Sequence, residues 1–303
     1  MTTNTNTNAN ANTAKVKVKA KVTNTVTVAG PSPAPRWSGM VPVEDTALAV
    51  TDTGGPGRPV LYLNGSYATQ RNWRPTIAEL GDGYRHITFD ERARGRSRTS
   101  ADYSFRACLR DIDAVLDATG AQRPILVGWS YGAALALHHS TRDPGRTAGA
   151  VMVDGGYPWD YLATVEGGRE AAREQIRAMF RRFGWIMPLV RPLGLAARMS
   201  AAAHAEINIE LNEIVAGSGP LFDLVDFPMR YLVATGASLG GTAEGLAAMR
   251  ATLDPVLARN PRVRISATVP SKHTTVLRKD FRAVAAAVRE VAAASGGRVD
   301  RCA

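Results

Sequence analysis

Pro124-Ile125-Leu126-Val127-Gly128-Trp129-Ser130-Tyr131-Gly132-Ala133-Ala134-Leu135-Ala136-Leu137 is the stretch on which the reading of this chain turns. Its opening is a short Ile/Leu/Val run, the pattern of a strand buried on both faces. Residues 133–137 are strong helix formers. Between the two, Ser130 stands with a glycine two residues away on either side. A serine raised on a sharp strand-to-helix turn needs small residues there, because the turn brings the flanking backbone close. The helix that starts at this point also aims its free N–H groups and positive dipole end at the serine, favouring negative charge beside it. Gly-x-Ser-x-Gly also marks ordinary turns, but the strand before this one and the helix behind it single it out. Ser130 is the candidate nucleophile.

Outward from this turn, short apolar runs alternate with helical patterns, as in parallel strands joined by crossover helices. Val60-Leu61-Tyr62-Leu63 ends at Asn64-Gly65, and Tyr84-Arg85-His86-Ile87-Thr88-Phe89 ends at Asp90. A helix-like stretch around Trp73, Ile77 and Leu80 lies between them and closes at Gly81. Phe105, Leu109, Ile112 and Leu116 recur at helical spacing, with Ser104 placed to cap the start and Gly120 to stop the end. Ala150-Val151-Met152-Val153 reads as another strand and ends at Asp154-Gly155-Gly156. Between Tyr157 and Asp226 the strand rhythm is lost, and helices are predicted over 169–182, 185–199 and 201–215. Strand patterns return at Tyr231-Leu232-Val233-Ala234 and Val263-Arg264-Ile265-Ser266, and a last helix carries Phe281, Val284, Val288 and Val291.

The formal charge of +10 raises the question of a nucleic-acid partner. Residues 1–36 hold five of the 37 basic residues and none of the 27 acids. Elsewhere arginines are interspersed with acids, as at Asp90-Glu91-Arg92, which reads as a solvated surface rather than a nucleic-acid face. Two cysteines give neither a disulfide framework nor metal-ligand spacing. Residues 1–36, with Thr/Asn repeats, alternating Lys/Val and a Pro-rich end, read as a disordered tail, the Lys/Val stretch being the one part able to pair as an edge strand. No apolar run reaches the ~20 residues of a membrane span, and no signal-peptide pattern opens the chain. The expectation is a cytoplasmic protein with a small-molecule substrate and neither a nucleic-acid nor a membrane partner.

Four segments resemble the α/β-hydrolase family, and the resemblance extends over about residues 40–295. Leu63-Asn64-Gly65-Ser66 is similar to the loop after the family's third strand, with Asn64 where a histidine is usual. Asp90-Glu91-Arg92-Ala93-Arg94-Gly95-Arg96-Ser97 is similar to the turn after the fourth strand, with Ala93 where a glycine is usual. The Ser130 turn is the third segment, and Val269-Pro270-Ser271-Lys272-His273 is similar to the segment that holds the catalytic histidine. The resemblance implies an α/β fold with a mostly parallel central sheet flanked by helices. It also implies a helical cap, residues 157–226, inserted after the sixth strand, with a core of 37–156 and 227–303. The implied chemistry is cofactor-free and metal-free acyl transfer by a Ser-His-Asp triad on a small, hydrophobic ester. Backbone N–H groups of Ser66 and Tyr131 would form the oxyanion hole.

Of the five histidines, His86 falls in a strand, His138 and His139 on the helix after the nucleophile, and His204 in an alanine-rich segment. Only His273 suits the family's chain order of serine, acid, histidine. The acid is less plain. Many family members carry it after the seventh strand, yet Gly236-Ala237-Ser238-Leu239 has no carboxylate. Some haloalkane dehalogenases place it after the sixth strand, which points to Asp154, with Glu244 as the alternative. Within the cap, Phe180, Trp185, Ile186, Met187 and Leu189 suit a pocket lining and a helical core equally. Two other functions share the fold: a cofactor-free haloperoxidase or perhydrolase, and a non-catalytic ligand-binding protein.

Overall fold

Each short run of branched apolar residues forms a strand, and eight strands make one sheet in the order β1-β2-β4-β3-β5-β6-β7-β8. The computed structural model describes residues 34–191, 196–237 and 242–296. β1 (Trp37–Val43) and β2 (Thr46–Asp52) form an antiparallel hairpin, and β2 pairs antiparallel with β4 (Tyr84–Phe89). From there the sheet is parallel through β3 (Arg58–Leu63), β5 (Ile125–Trp129), β6 (Gly149–Val153), β7 (Met229–Ala234) and β8 (Val263–Val269). The expected tail lies outside the described residues except for 34–36, where the N–H of Gly55 donates to the carbonyl of Ala34 at 2.8 Å.

Helices cover both faces of the sheet. α1 (Arg74–Leu80) follows β3, α2 (Phe105–Thr119) follows β4, and α3 (Tyr131–Arg142) follows β5. The Ser104 hydroxyl accepts from the Ala107 N–H at 3.2 Å, and Gly120 ends α2 in the left-handed region, as the sequence predicts. Side chains alternate across the sheet with the strand's two-residue period. Leu61, Leu63 and Leu126 join the cluster under α2 and α3, whereas Val60, Tyr62, Ile125 and Val127 face the other way. There they meet Trp73 and a late helical layer, α10 (Val276–Lys279) and α11 (Phe281–Ser295).

The segment between β6 and β7 is helical, as expected: α4 (Tyr161–Thr164), α5 (Gly168–Phe183), α6 (Met187–Val190) and α7 (Ala201–Ala216). The single helix expected over 185–199 is absent. A 3₁₀ turn (Gly184–Ile186) leads into the four-residue α6, and 196–199 is irregular. Pro188 sits in the first turn of α6, where a missing N–H is harmless. α8 (Ala243–Ala251) and α9 (Asp254–Arg259) connect β7 to β8. Among the described residues no helix is long and apolar enough to cross a membrane.

Candidate active site

Three loops at the C-terminal ends of β5, β6 and β8 bring Ser130, Asp154 and His273 together. Ser130 sits between β5 and α3 at φ 56°, in the left-handed region that non-glycine residues avoid at a cost of about 1–3 kcal/mol. The flanking glycines allow the turn. A Cβ on Gly128 would stand 2.2 Å from the Gly132 carbonyl oxygen, and one on Gly132 would stand 2.1 Å from that of Leu63. The Ser130 N–H donates to the Val153 carbonyl at 3.1 Å, which ties the Ser130 turn to the end of β6.

His273 stands between the other two. Its Nε2 is 2.9 Å from Ser130 Oγ, and its Nδ1 is 2.8 Å from Asp154 Oδ2. With the proton on Nδ1 facing the carboxylate, Nε2 is left as an acceptor for the serine hydroxyl. The indole of Trp129 lies 5.5 Å from the imidazole, centroid to centroid, and limits its tilt. The His273 loop is held from behind, because the Gly236 N–H donates to the Ser271 carbonyl at 2.9 Å. The turn after β7 thus anchors the histidine loop without supplying a carboxylate from its described residues; Ser238 and Leu239 lie outside them.

Asp154 is buried, with a left-handed backbone at φ 43°, and each of its carboxylate oxygens is bonded. Oδ1 accepts from the Tyr157 hydroxyl at 3.1 Å and the Ala234 N–H at 3.2 Å, leaving Oδ2 for His273. Glu244 is exposed, in the first turn of α8. Sequence reading missed Tyr157 and Gly155. Gly155 presses its backbone on Ser130: a Cβ there would be 2.5 Å from the Ser130 carbonyl oxygen and 2.6 Å from its Cα. The signal was present in Asp154-Gly155-Gly156-Tyr157, but an end-of-strand Asp-Gly-Gly looks like any turn.

Tyr131 is the first residue of α3, so its N–H has no acceptor within the helix. Ser66 lies in the turn closed by Ala68 N–H to Gly65 carbonyl at 3.0 Å, and its own carbonyl accepts from Arg94 Nε at 2.9 Å. Asn64, where the family usually has histidine, works as a buried clamp. Its backbone N–H and Nδ2 donate to Glu91 at 3.0 and 2.8 Å, Nδ2 also donates to the Phe89 carbonyl, and Oδ1 accepts from Trp73 Nε1 at 2.8 Å. Burial pushes the Glu91 carboxyl up to about 7, although the Asn64 side chain and the nearby Arg94 pull it down. Ala93 takes φ 65°, the conformation that suits the family's usual glycine. Asp90-Glu91-Arg92, expected to be part of a solvated surface, is instead buried, because each charged group finds partners inside: Arg92 grips Asp111 through Nε at 2.8 Å and a second nitrogen at 2.5 Å, fixing the turn on α2.

The helical insert sits on the Ser66–Tyr67 loop through α7. The His204 ring stacks on Phe180 at 5.7 Å and meets Tyr67 edge-on at 5.3 Å, and Asn208 Nδ2 donates to the Tyr67 hydroxyl at 2.9 Å. Of the apolar residues expected to line a pocket or fill a core, Phe180 is buried and Ile186 and Met187 are half-buried, whereas Trp185 and Leu189 face solvent. Among the described residues no cluster of three His, Cys, Asp or Glu is placed to hold a metal ion.

Comparison with known proteins agrees with this architecture. A family profile described as alpha/beta hydrolase fold matches residues 58–184. A haloalkane dehalogenase of Mesorhizobium japonicum is 31% identical over 141 residues, covering 46% of this chain and 45% of that protein. Epoxide hydrolase B of Mycobacterium tuberculosis is 27% identical over 216 residues, 58% of this chain and 59% of that one. The chain thus spans about half the length of the curated relatives it matches. An esterase from Exiguobacterium antarcticum superposes with a TM-score of 0.60 at 21% identity, covering 84% of this chain and 98% of that one. A thermophilic esterase from Thermogutta terrifontis does so with a TM-score of 0.60 at 23% identity, covering 86% and 99%. With its eight-stranded sheet among the described residues, its serine on the β5–α3 turn and its match to the family profile over residues 58–184, this chain has the α/β-hydrolase fold.

Proposed function

We propose that this chain is a serine hydrolase that cleaves an ester or related acyl bond of a small substrate. Ser130 is the nucleophile, His273 the general base and Asp154 the acid that orients it. The observation that carries this reading is the file of hydrogen bonds from Ser130 Oγ through the imidazole to Asp154, 2.9 and 2.8 Å long. As Oγ bonds the substrate's carbonyl carbon, its proton passes to His273 Nε2. The carbonyl oxygen becomes an oxyanion and accepts from the N–H groups of Tyr131 and Ser66, each worth ~3 kcal/mol to the transition state. Collapse expels the alcohol, which takes the proton from Nε2. Water then gives a proton to His273 and attacks the acyl-serine, releasing the acid and restoring Ser130. Throughout, Asp154 keeps the Nδ1 proton in place and stabilises the imidazolium.

The nucleophile's chemistry separates this reading from those of the named relatives. Attack of a serine oxygen on an epoxide or a haloalkane carbon would leave an ether on the enzyme, which water does not cleave. Attack on a carbonyl leaves an ester, which it does. Ser130 therefore favours acyl substrates. Hydrogen peroxide in place of water at the second step would give a peracid, so assaying peracid beside acid distinguishes a perhydrolase.

Treatment with a fluorophosphonate probe is the test. Wild type should be labelled at Ser130, and Ser130→Ala should escape labelling and lose at least about 10⁴ in kcat on short-chain esters. An unlabelled wild type would instead support a ligand-binding protein, and a variant keeping more than about a tenth of turnover would remove Ser130 from the mechanism.

A further inference from the structure

The helical insert carries a second surface, unrelated to the chemistry assigned to Ser130. Met179 and Phe183 stand one turn apart on the same face of α5, each 47% exposed. Past the bend at Gly184, Trp185 and Leu189 are 71% and 68% exposed, with exposed Pro188 between them. One apolar side chain in water needs no explanation, but a run of four large ones within residues 179–189 marks a surface that meets something.

The charge around it says what. From residue 175 to 205 the chain has Arg177, Arg181, Arg182, Arg191 and Arg198 and no aspartate or glutamate. Arg177 and Arg181 are engaged with carboxylates on either side of this stretch, Arg177 with Glu170 and Glu206 and Arg181 with Glu174. Arg182 is exposed, with its guanidinium 5.6 Å over the ring of Phe183. Arg191 donates through Nε to the Ala197 carbonyl, at the other end of the apolar run. A second copy of the chain fits poorly, because a two-fold pairing through this surface brings together two stretches that each hold five arginines and no carboxylate. A surface of lipid phosphates complements both features. Tryptophan and leucine enter the boundary between headgroups and acyl chains, while flanking arginines stay level with the phosphates.

We propose that the 179–189 surface docks the protein on anionic phospholipid bilayers, with Trp185 and Leu189 inserted and Arg182 and Arg191 against headgroup phosphates. The protein lies on the bilayer in this mode and does not span it, so the polar sequence that excludes a membrane-crossing helix is no obstacle.

Co-sedimentation of the full chain with vesicles tests this, using phosphatidylcholine alone and phosphatidylcholine mixed with phosphatidylglycerol. Wild type should bind the anionic vesicles, more weakly as salt is raised. Trp185→Ser with Leu189→Ser should lower the partition coefficient at least about tenfold, and Arg182→Gln with Arg191→Gln should weaken binding to anionic vesicles only. Lys15, Lys17, Lys19 and Lys21 attract anionic lipid by themselves, but every variant shares them, so the difference from wild type isolates the surface. Trp185 and Leu189 pack little, so an unchanged melting temperature verifies that the variant is folded. Wild-type binding by the double variant, or no binding by wild type, overturns the proposal. So does a wild-type dimer that the Trp185/Leu189 variant dissociates while vesicle binding is unaltered.

Discussion

The hydroxyl of Tyr157 lies 3.1 Å from Oδ1 of Asp154, so the carboxylate facing His273 is gripped from behind by a residue only three positions along the chain. With the Ala234 N–H on the same oxygen, it fixes which oxygen is offered to the imidazole. Removing the hydroxyl leaves Asp154 one donor short in a buried site. Tyr157→Phe should lower kcat about tenfold with little change in KM, in keeping with a hydrogen bond to a charged group. A change in melting temperature with normal kcat would make Tyr157 a packing residue only.

Asp154→Asn should preserve the geometry while favouring the wrong imidazole tautomer, lowering kcat by about 10³–10⁴. Glu244→Gln, on the exposed first turn of α8, should leave kcat as it is. Kinetics of the two variants on one ester decide the matter. Near-normal turnover in the asparagine variant, with loss in the glutamine variant, would reverse the assignment.

Gly155→Ala probes how closely the end of β6 abuts Ser130. The new methyl would fall 2.5 Å from the Ser130 carbonyl oxygen, against backbone that cannot rotate away, so the Ser130 turn itself must move. Displacement approaching 1 Å should lower kcat by about a hundredfold. Overpacking should also destabilise the fold by about 1–3 kcal/mol, read by urea unfolding. Wild-type values in both would show that the strand end yields more readily than the contact implies.

Glu91 and His204 should give the fold opposite pH dependences. Burial holds the His204 imidazole down to about 4, with Arg94 and Arg191 pushing the same way, against an ordinary value of 6.5. As pH falls from about 6.5 to about 4, the unfolded chain binds a proton there first, and stability is lost. Glu91, raised to about 7 from 4.5, is the reverse: as pH rises through that window the unfolded chain ionises first, and stability is lost. Neither slope exceeds about 1.4 kcal/mol per pH unit. Relative to wild type in urea unfolding between pH 4.5 and 7, His204→Leu should become steadily less stable as pH rises and Glu91→Gln steadily more stable. Parallel curves would refute both assignments.

Much of this was legible along the chain because the fold writes its site at strand ends. Ser130, Asp154 and His273 each follow a strand, and the apolar runs before the first two are plain to read. What could not be read depends on neighbours remote in sequence. Nothing local tells that β4 lies between β2 and β3, or that Glu91 receives both N–H groups of Asn64. The helix expected over 185–199 failed because apolar spacing was followed across Pro188 and Pro192. Trp185 and Leu189, equally suited by hydrophobicity to a pocket or a core, occupy neither, since burial is decided by what stands opposite a side chain.

The bond between His273 and Ser130 joins residues 143 positions apart, and that between His273 and Asp154 spans 119. On the ribosome, therefore, the serine turn, the Ser66 loop and the aspartate all emerge long before the imidazole that, in the proposed mechanism, activates the serine. The strand that delivers it, β8, is at the sheet's far edge and, among the described residues, pairs with β7 alone. In the proposed mechanism, reactivity waits until this strand is in place beside β7. A growing chain thus carries a serine without its base through the whole synthesis of its helical insert, and labelling by a fluorophosphonate would report the arrival of β8 rather than the formation of the Ser130 turn.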